Sequence, residues 1–211
     1  MGRVPAAFDL GRNIGPPGRW VHRNRRSTMG GFMSDLLIAN RRQAGLTALY
    51  LGIFAMLWFS VPAAEQPLRA LLVVGSIVAL LTAVAGGVLS ARLRGAGSPR
   101  DRAADRPYLL IVVAEFVAAG LGAAVVAAAG WSEYVPVLVC LVVGLHFFPL
   151  APLLRDPLLK PLGVAICLVA AAALVTGLAS GVSAGLVVGT GAGVLLLGYA
   201  VQALVRAYRP A

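Results

Sequence analysis

Two titratable side chains, Glu115 and His146, lie well inside long apolar stretches of the sequence. An ionisable group within lipid is costly, so such residues pair with one another or line the path of an ion or substrate. Imidazole titrates near neutral pH, which suits it to carrying protons. The chemistry indicated by these residue types is a proton or cation relay, or a polar contact for a substrate.

The spacing of Glu115 and His146 predicts that the two residues are neighbours. Glu115 lies seven residues after Tyr108, where one apolar stretch begins, and His146 lies eight residues before Leu154, where the next one ends. At a rise of 1.5 Å per residue, both depths come to roughly 10–12 Å. Since a short turn joins the two stretches, we expect an intramembrane pair. A hydrogen bond that only fixes packing, worth ~0.6–2 kcal/mol, would give the same pattern.

His146 belongs to the segment Gly-Leu-His-Phe-Phe-Pro-Leu-Ala-Pro, residues 144–152. Pro149 has no amide hydrogen and cannot bond the carbonyl of Leu145, so a kink there would leave this carbonyl free beside the imidazole. Pro149 and Pro152 favour a bent or broken helix end, which is common at transporter sites. The alternative is a helix that ends near Pro152. Pro149 therefore joins Glu115 and His146 in the candidate polar site.

The segment from Gly144 to Ala151 resembles a motif of small multi-pass membrane proteins of bacteria. The resemblance extends over the third to fifth apolar stretches and rests mainly on this one motif, in which His146 and Pro149 are the matched positions. That family has no assigned activity. The resemblance therefore implies a bacterial membrane protein but no particular function.

The whole composition indicates a chain that resides in lipid. Apolar residues make up 59% of the 211 residues and charged residues 12%, whereas soluble domains carry about 25% charged residues. The mean hydropathy is +0.86. Six apolar stretches of about 20 residues, the length that crosses ~30 Å of hydrocarbon, predict an all-α bundle of six transmembrane helices in three hairpins. The predicted spans are residues 44–63, 69–91, 108–130, 135–154, 161–180 and 184–205.

Basic residues predict the orientation of these helices. With six spans, every basic residue except Arg69 falls on one side, which the positive-inside rule assigns to the cytoplasm. We therefore expect both termini in the cytoplasm and the protein in the plasma membrane. Residues 1–43 are polar and rich in arginine, which predicts a disordered cytoplasmic tail. Met29 and Met33 are alternative starts to Met1, so residues 1–28 could be an over-extended start. Residues 207–211 form the cytoplasmic C-terminus.

Small residues at every fourth position indicate helix faces that pack closely. The candidate packing positions are Gly185, Gly189, Gly193, Ala118 and Gly122. Such faces could serve contacts within the chain, a homo-oligomer or a membrane partner. A non-catalytic scaffold or accessory subunit is therefore the alternative to a protein with a proton-linked or small-solute task.

The sequence shows no motif of a known catalytic or cofactor site. Neither a metalloprotease HExxH nor a nucleotide-binding loop occurs, so no catalytic residue, metal site or cofactor is predicted. Cys140 and Cys167 match no CxxC or zinc-binding spacing. The net charge of +10 arises from arginine clusters between the spans without interleaved aromatic residues. This pattern excludes nucleic acid as the expected partner and leaves the lipid bilayer.

Overall fold

The computed structural model describes residues 20–93, 102–154 and 156–208, and every regular element in these ranges is a helix. A 3₁₀ turn, Ser132–Tyr134, joins the third and fourth α-helices. A helix satisfies its own backbone hydrogen bonds, which is why uncharged runs of Leu, Val and Ala take this form in lipid. The α-helices are α1 (Trp20–Ser60), α2 (Leu68–Arg92), α3 (Arg102–Ala128), α4 (Val135–Leu154), α5 (Leu159–Ala179) and α6 (Ala184–Tyr208).

Six helical segments are long and apolar enough to cross a membrane, which confirms the number of spans predicted from the sequence. The first begins at Leu37, earlier than predicted, because Leu37, Ile38 and Ala39 extend its apolar run beyond Arg41 and Arg42. Long basic side chains at a helix end can reach the polar interface while their stems stay in apolar surroundings. The spans are Leu37–Ser60, Leu68–Arg92, Leu109–Ala128, Ser132–Leu153, Leu159–Ala179 and Ala184–Tyr208.

Helix α1 differs from the disordered tail that the sequence predicted over residues 1–43. Residues 1–19 lie outside the described residues, whereas the backbone from Trp20 onward is helical. The segment 20–43 contains no proline and has five Arg, two Leu and two Met, which favour helix. By its internal contacts the chain divides into residues 1–37 and residues 38–211. Apart from Leu37, the residues of the membrane spans belong to the second unit.

Helix α4 is continuous through both of its prolines. Pro149 and Pro152 lie on its exposed side, and the helix ends at Leu154. Each proline removes one backbone donor but leaves the other bonds of the helix in place. The structure therefore matches the predicted alternative of a helix that ends near Pro152 and has no break at Pro149.

Glycines allow several helix pairs to approach with their backbones nearly in contact. A Cβ atom on Gly86 of α2 would lie 2.5 Å from the carbonyl oxygen of Gly45 in α1. A Cβ atom on Gly163 of α5 would lie 2.8 Å from the carbonyl oxygen of Gly144 in α4. In lipid, this close packing replaces the hydrophobic driving force that soluble proteins use. The pairs α1–α2 and α4–α5 are therefore fixed in register by their sequences.

Candidate functional site

Helices α3 and α4 bring the two predicted residues together. Gly122 of α3 lies against Leu138 of α4, because a Cβ atom on this glycine would be 2.5 Å from a Leu138 methyl group. Glu115 lies two helical turns before Gly122 in α3, and His146 lies two helical turns after Leu138 in α4. Because the helices are antiparallel, the two residues meet further along the same contact. This is the register that the short 3₁₀ turn imposes on two antiparallel helices. We call this line of contact the α3–α4 seam.

The carboxylate of Glu115 lies 3.0 Å from the imidazole of His146, measured from Oε2 to Nδ1. The Nδ1 atom is fully buried, yet it has no aligned hydrogen-bond partner among the described residues. The two findings agree if the carboxylate lies close to the ring nitrogen but away from the direction of its N–H bond. The contact is thus a close polar pair whose hydrogen bond is not formed in this geometry.

The pair is largely but not completely enclosed. The exposed fractions are 11% for the His146 side chain and 18% for the Glu115 side chain. The ring of Phe147 meets the imidazole edge-on, with the ring centroids 6.1 Å apart. These apolar surroundings make a charge on either residue costly, so a single proton shared between the two is the arrangement that the site supports best. Such a pair can accept and release a proton at two positions within hydrogen-bond reach of one another.

Pro149, the third residue of the predicted site, does not lie in the pair. Its side chain is exposed, one helical turn from His146 on the outward side of α4. Its contribution is confined to the backbone, where it leaves the carbonyl of Leu145 without an amide donor from position 149.

The predicted packing residues take three kinds of position. Gly189 and Gly193 of α6 lie against the end of α1: a Cβ atom would be 2.7 Å from the carbonyl oxygen of Trp58 at Gly189, and 2.8 Å from the ring of Phe59 at Gly193. Gly185 has only ordinary contacts, of 3.6 Å or more. Gly122 packs on α4, whereas Ala118 is exposed.

A second polar contact, which sequence reasoning missed, ties the loop between α4 and α5 to α6. The hydroxyl of Tyr199 donates a hydrogen bond of 2.8 Å to Oδ2 of Asp156. The other carboxylate oxygen of Asp156 accepts from the amide of Leu158, at 3.1 Å. The sequence signal was Asp156 followed by Pro157, which is typical of a turn. Nothing in the sequence linked this turn to a tyrosine 43 positions away.

Neither Cys140 nor a cleft at one end of the bundle extends the site. Cys140 is buried, and its thiol donates to the carbonyl of Ile166 over 3.6 Å, which is a structural contact between α4 and α5. No cluster of three or more metal-ligating side chains occurs in the described part of the chain. A cleft of about 280 Å³ lies at the end of the bundle where Glu133 and Tyr134 meet the turn between α5 and α6.

Comparison of the chain with protein families, with curated proteins and with solved structures finds no match. The functional interpretation therefore rests on the Glu115–His146 pair and on the distribution of charge along the chain.

Proposed function

We propose that this protein carries out a proton-linked or small-solute task in the plasma membrane through the Glu115–His146 pair. The six helices would form three hairpins, α1–α2, α3–α4 and α5–α6, with both termini in the cytoplasm. In this proposal, one residue of the pair holds a proton that the other can take up. The proton moves when it passes from the first residue to the second.

The orientation follows from the charge of the connections. Arg92 ends α2, Lys160 lies in the first turn of α5 and Arg206 lies in the last turn of α6. In the proposed hairpin arrangement all three would fall at the same end of the bundle. Basic residues near the ends of spans are retained on the cytoplasmic side during insertion. The opposite end carries Glu65, Arg69 and Glu133, which have no net positive charge.

The observation that carries the proposal is the 3.0 Å approach of Oε2 and Nδ1 between two apolar spans. The two atoms lie within hydrogen-bond reach, the distance over which one group can pass a proton to the other. Here the imidazole nitrogen has no aligned partner among the described residues. Alignment of the imidazole N–H with the carboxylate would form the hydrogen bond along which a proton can pass.

Proton movement can be measured in liposomes of bacterial polar lipids with a pH-sensitive dye trapped inside. Valinomycin and a potassium gradient supply the driving potential. The wild-type protein should change the internal pH faster than protein-free liposomes, and Glu115→Gln should reduce the rate to the protein-free level. The amide keeps the size of the side chain and removes its titration.

The matched control is Glu133→Gln, the same chemical change at an exposed carboxylate in the turn between α3 and α4. This variant should retain the wild-type rate. If Glu115→Gln and Glu133→Gln both retain it, the pair has no part in proton movement and the proposal fails.

The alternative, a scaffold that binds partners through glycine faces, receives less support from the packing. Gly189 and Gly193, two of the five candidate packing positions, lie against Trp58 and Phe59 of the same chain. Those faces are therefore occupied without a partner.

A further inference from the structure

Helix α3 is buried much less than the other spans. In the apolar stretch of Leu109–Ala128 no residue is buried, whereas the other five spans have 28% to 39% of theirs buried. Residues of α3 that face α4, such as Glu115, Ala119 and Gly122, are partly covered, and most others are exposed. In a membrane, an exposed apolar helix surface is in contact with the acyl chains of lipid.

Each residue of the pair has an apolar, exposed neighbour in the sequence. Phe116, next to Glu115, is 66% exposed, and Leu145, next to His146, is 54% exposed. Leu141, one turn before Leu145, and Val113 on α3 are also exposed. The surface around the pair is thus hydrocarbon-facing, and the Glu115 side chain, which is 18% exposed, is not fully covered by the bundle. A hydrated solute would have to lose its water to cross such a rim, which is unfavourable.

We infer that the Glu115–His146 pair is reached from the lipid, through the α3–α4 seam, and that the molecule it serves is lipid-soluble. The seam offers one partly exposed carboxylate at the depth of the acyl chains, and the sequence neighbours Phe116 and Leu145 of the pair are exposed. The matching molecule has an apolar body, which remains in the hydrocarbon, and one polar group, which bonds to the carboxylate or gives it a proton. The choice of molecule rests on the function proposed above, whereas the route rests on the packing of α3 alone.

Carbodiimides test the route because they react with a protonated carboxyl group, and different carbodiimides reach it from the lipid or from the water. The carboxylic acid adds across one C=N bond, its proton moves to nitrogen, and the O-acylisourea rearranges to a stable N-acylurea. The whole reagent is retained, so no leaving group, oxidant or reductant is needed. Dicyclohexylcarbodiimide partitions into lipid, and a water-soluble carbodiimide that carries a charged ammonium group stays in the aqueous phase.

The full-length protein in liposomes is treated with each reagent, and the modified residue is located by peptide mass spectrometry. Glu115 should carry the lipid-soluble reagent, with roughly tenfold or more modification than with the water-soluble one, because the apolar reagent concentrates in hydrocarbon. Glu133, which is exposed in the turn before α4, is the internal control and should react with the water-soluble reagent. Glu115→Gln should lose the label at position 115 and keep the label at Glu133.

Equal or greater reaction of Glu115 with the water-soluble reagent would overturn the inference, since it would show an aqueous route. Absence of any label at Glu115, while Glu133 is labelled, would overturn it as well, since the pair would be closed from both phases. The labelling does not depend on proton movement. Lipid-side labelling with an unchanged flux in Glu115→Gln would refute the proposed function alone, and aqueous labelling with a lost flux would refute the route alone.

Discussion

Replacing Glu115 and His146 by leucine, singly and together, measures how far each side chain depends on the other. Glu115→Leu leaves an imidazole that is 11% exposed without its carboxylate, and His146→Leu leaves a carboxylate that is 18% exposed without its imidazole. Each single change should destabilise the protein by about 1–3 kcal/mol, the cost of stranding a buried polar group.

The double variant strands neither group. A buried pair replaced by apolar residues of similar volume is often neutral or stabilising, and polar contacts between helices in membranes average about 0.6 kcal/mol. We therefore expect the double variant to lose about 1 kcal/mol or less. The loss should fall short of the sum of the single losses by at least about 1 kcal/mol, which is the non-additivity expected of residues in contact.

Thermal unfolding in detergent, followed for the wild type and the three variants, gives the four stabilities of the cycle. Glu133→Leu serves as a control, because it removes a carboxylate from an exposed turn and should change the melting temperature little. Losses that add within about 0.5 kcal/mol would show that the 3.0 Å approach has no energetic consequence. The pair would then have to be abandoned as a site.

Three further predictions concern the rest of the chain. Reporter domains fused at Ser132 and Ser183 should be outside the cytoplasm and those at Gly97 and the C-terminus inside, and an external reading at Gly97 would refute the six-span topology. Gly189→Leu should lower the melting temperature sharply, because even a Cβ atom would be 2.7 Å from the carbonyl oxygen of Trp58. Gly120→Ala, in open space, should leave the melting temperature unchanged or raise it. Equal effects of the two changes would contradict the packing of α6 on α1. Tyr199→Phe should lower the free energy of unfolding by about 1.5–3 kcal/mol, the value of a hydrogen bond to a charged group. The same change at the exposed Tyr208 should have little effect. Equal effects would show that the hydrogen bond from Tyr199 to Asp156 does not stabilise the protein.

The sequence was sufficient to predict the pair, but it was not sufficient to predict how little of the helix that carries Glu115 is buried. Equal depth on consecutive spans depends only on helical rise and on a short turn, both of which can be counted along the chain. The burial of a span depends on which neighbours surround it. The apolar stretches in α3 and α5 have the same mean hydropathy of 2.5, yet none of the first is buried and 28% of the second is. Hydropathy therefore does not tell whether the apolar surroundings of a residue are lipid or protein.

The glycines of α6 show the same limit at the level of single residues. Gly185, Gly189 and Gly193 have the same spacing in the sequence, but only the last two meet another helix closely. The difference arises from Trp58 and Phe59 near the end of α1 and from Pro62 just after it, which lie opposite those two glycines. A repeat predicts the face of a helix, and the partner helix determines how far along that face the contact runs.

The scant burial of α3 has a consequence for how the chain enters the membrane during synthesis. Glu115 leaves the ribosome ~30 residues before His146, an interval of a few seconds at typical rates of translation. During that interval the carboxyl group has no imidazole beside it. The apolar stretch of α3, with a mean hydropathy of 2.5, has enough apolar character to be inserted with one carboxyl group and without help from neighbouring helices. We therefore expect α3 to partition into lipid alone and to acquire its place in the bundle only when α4 follows it.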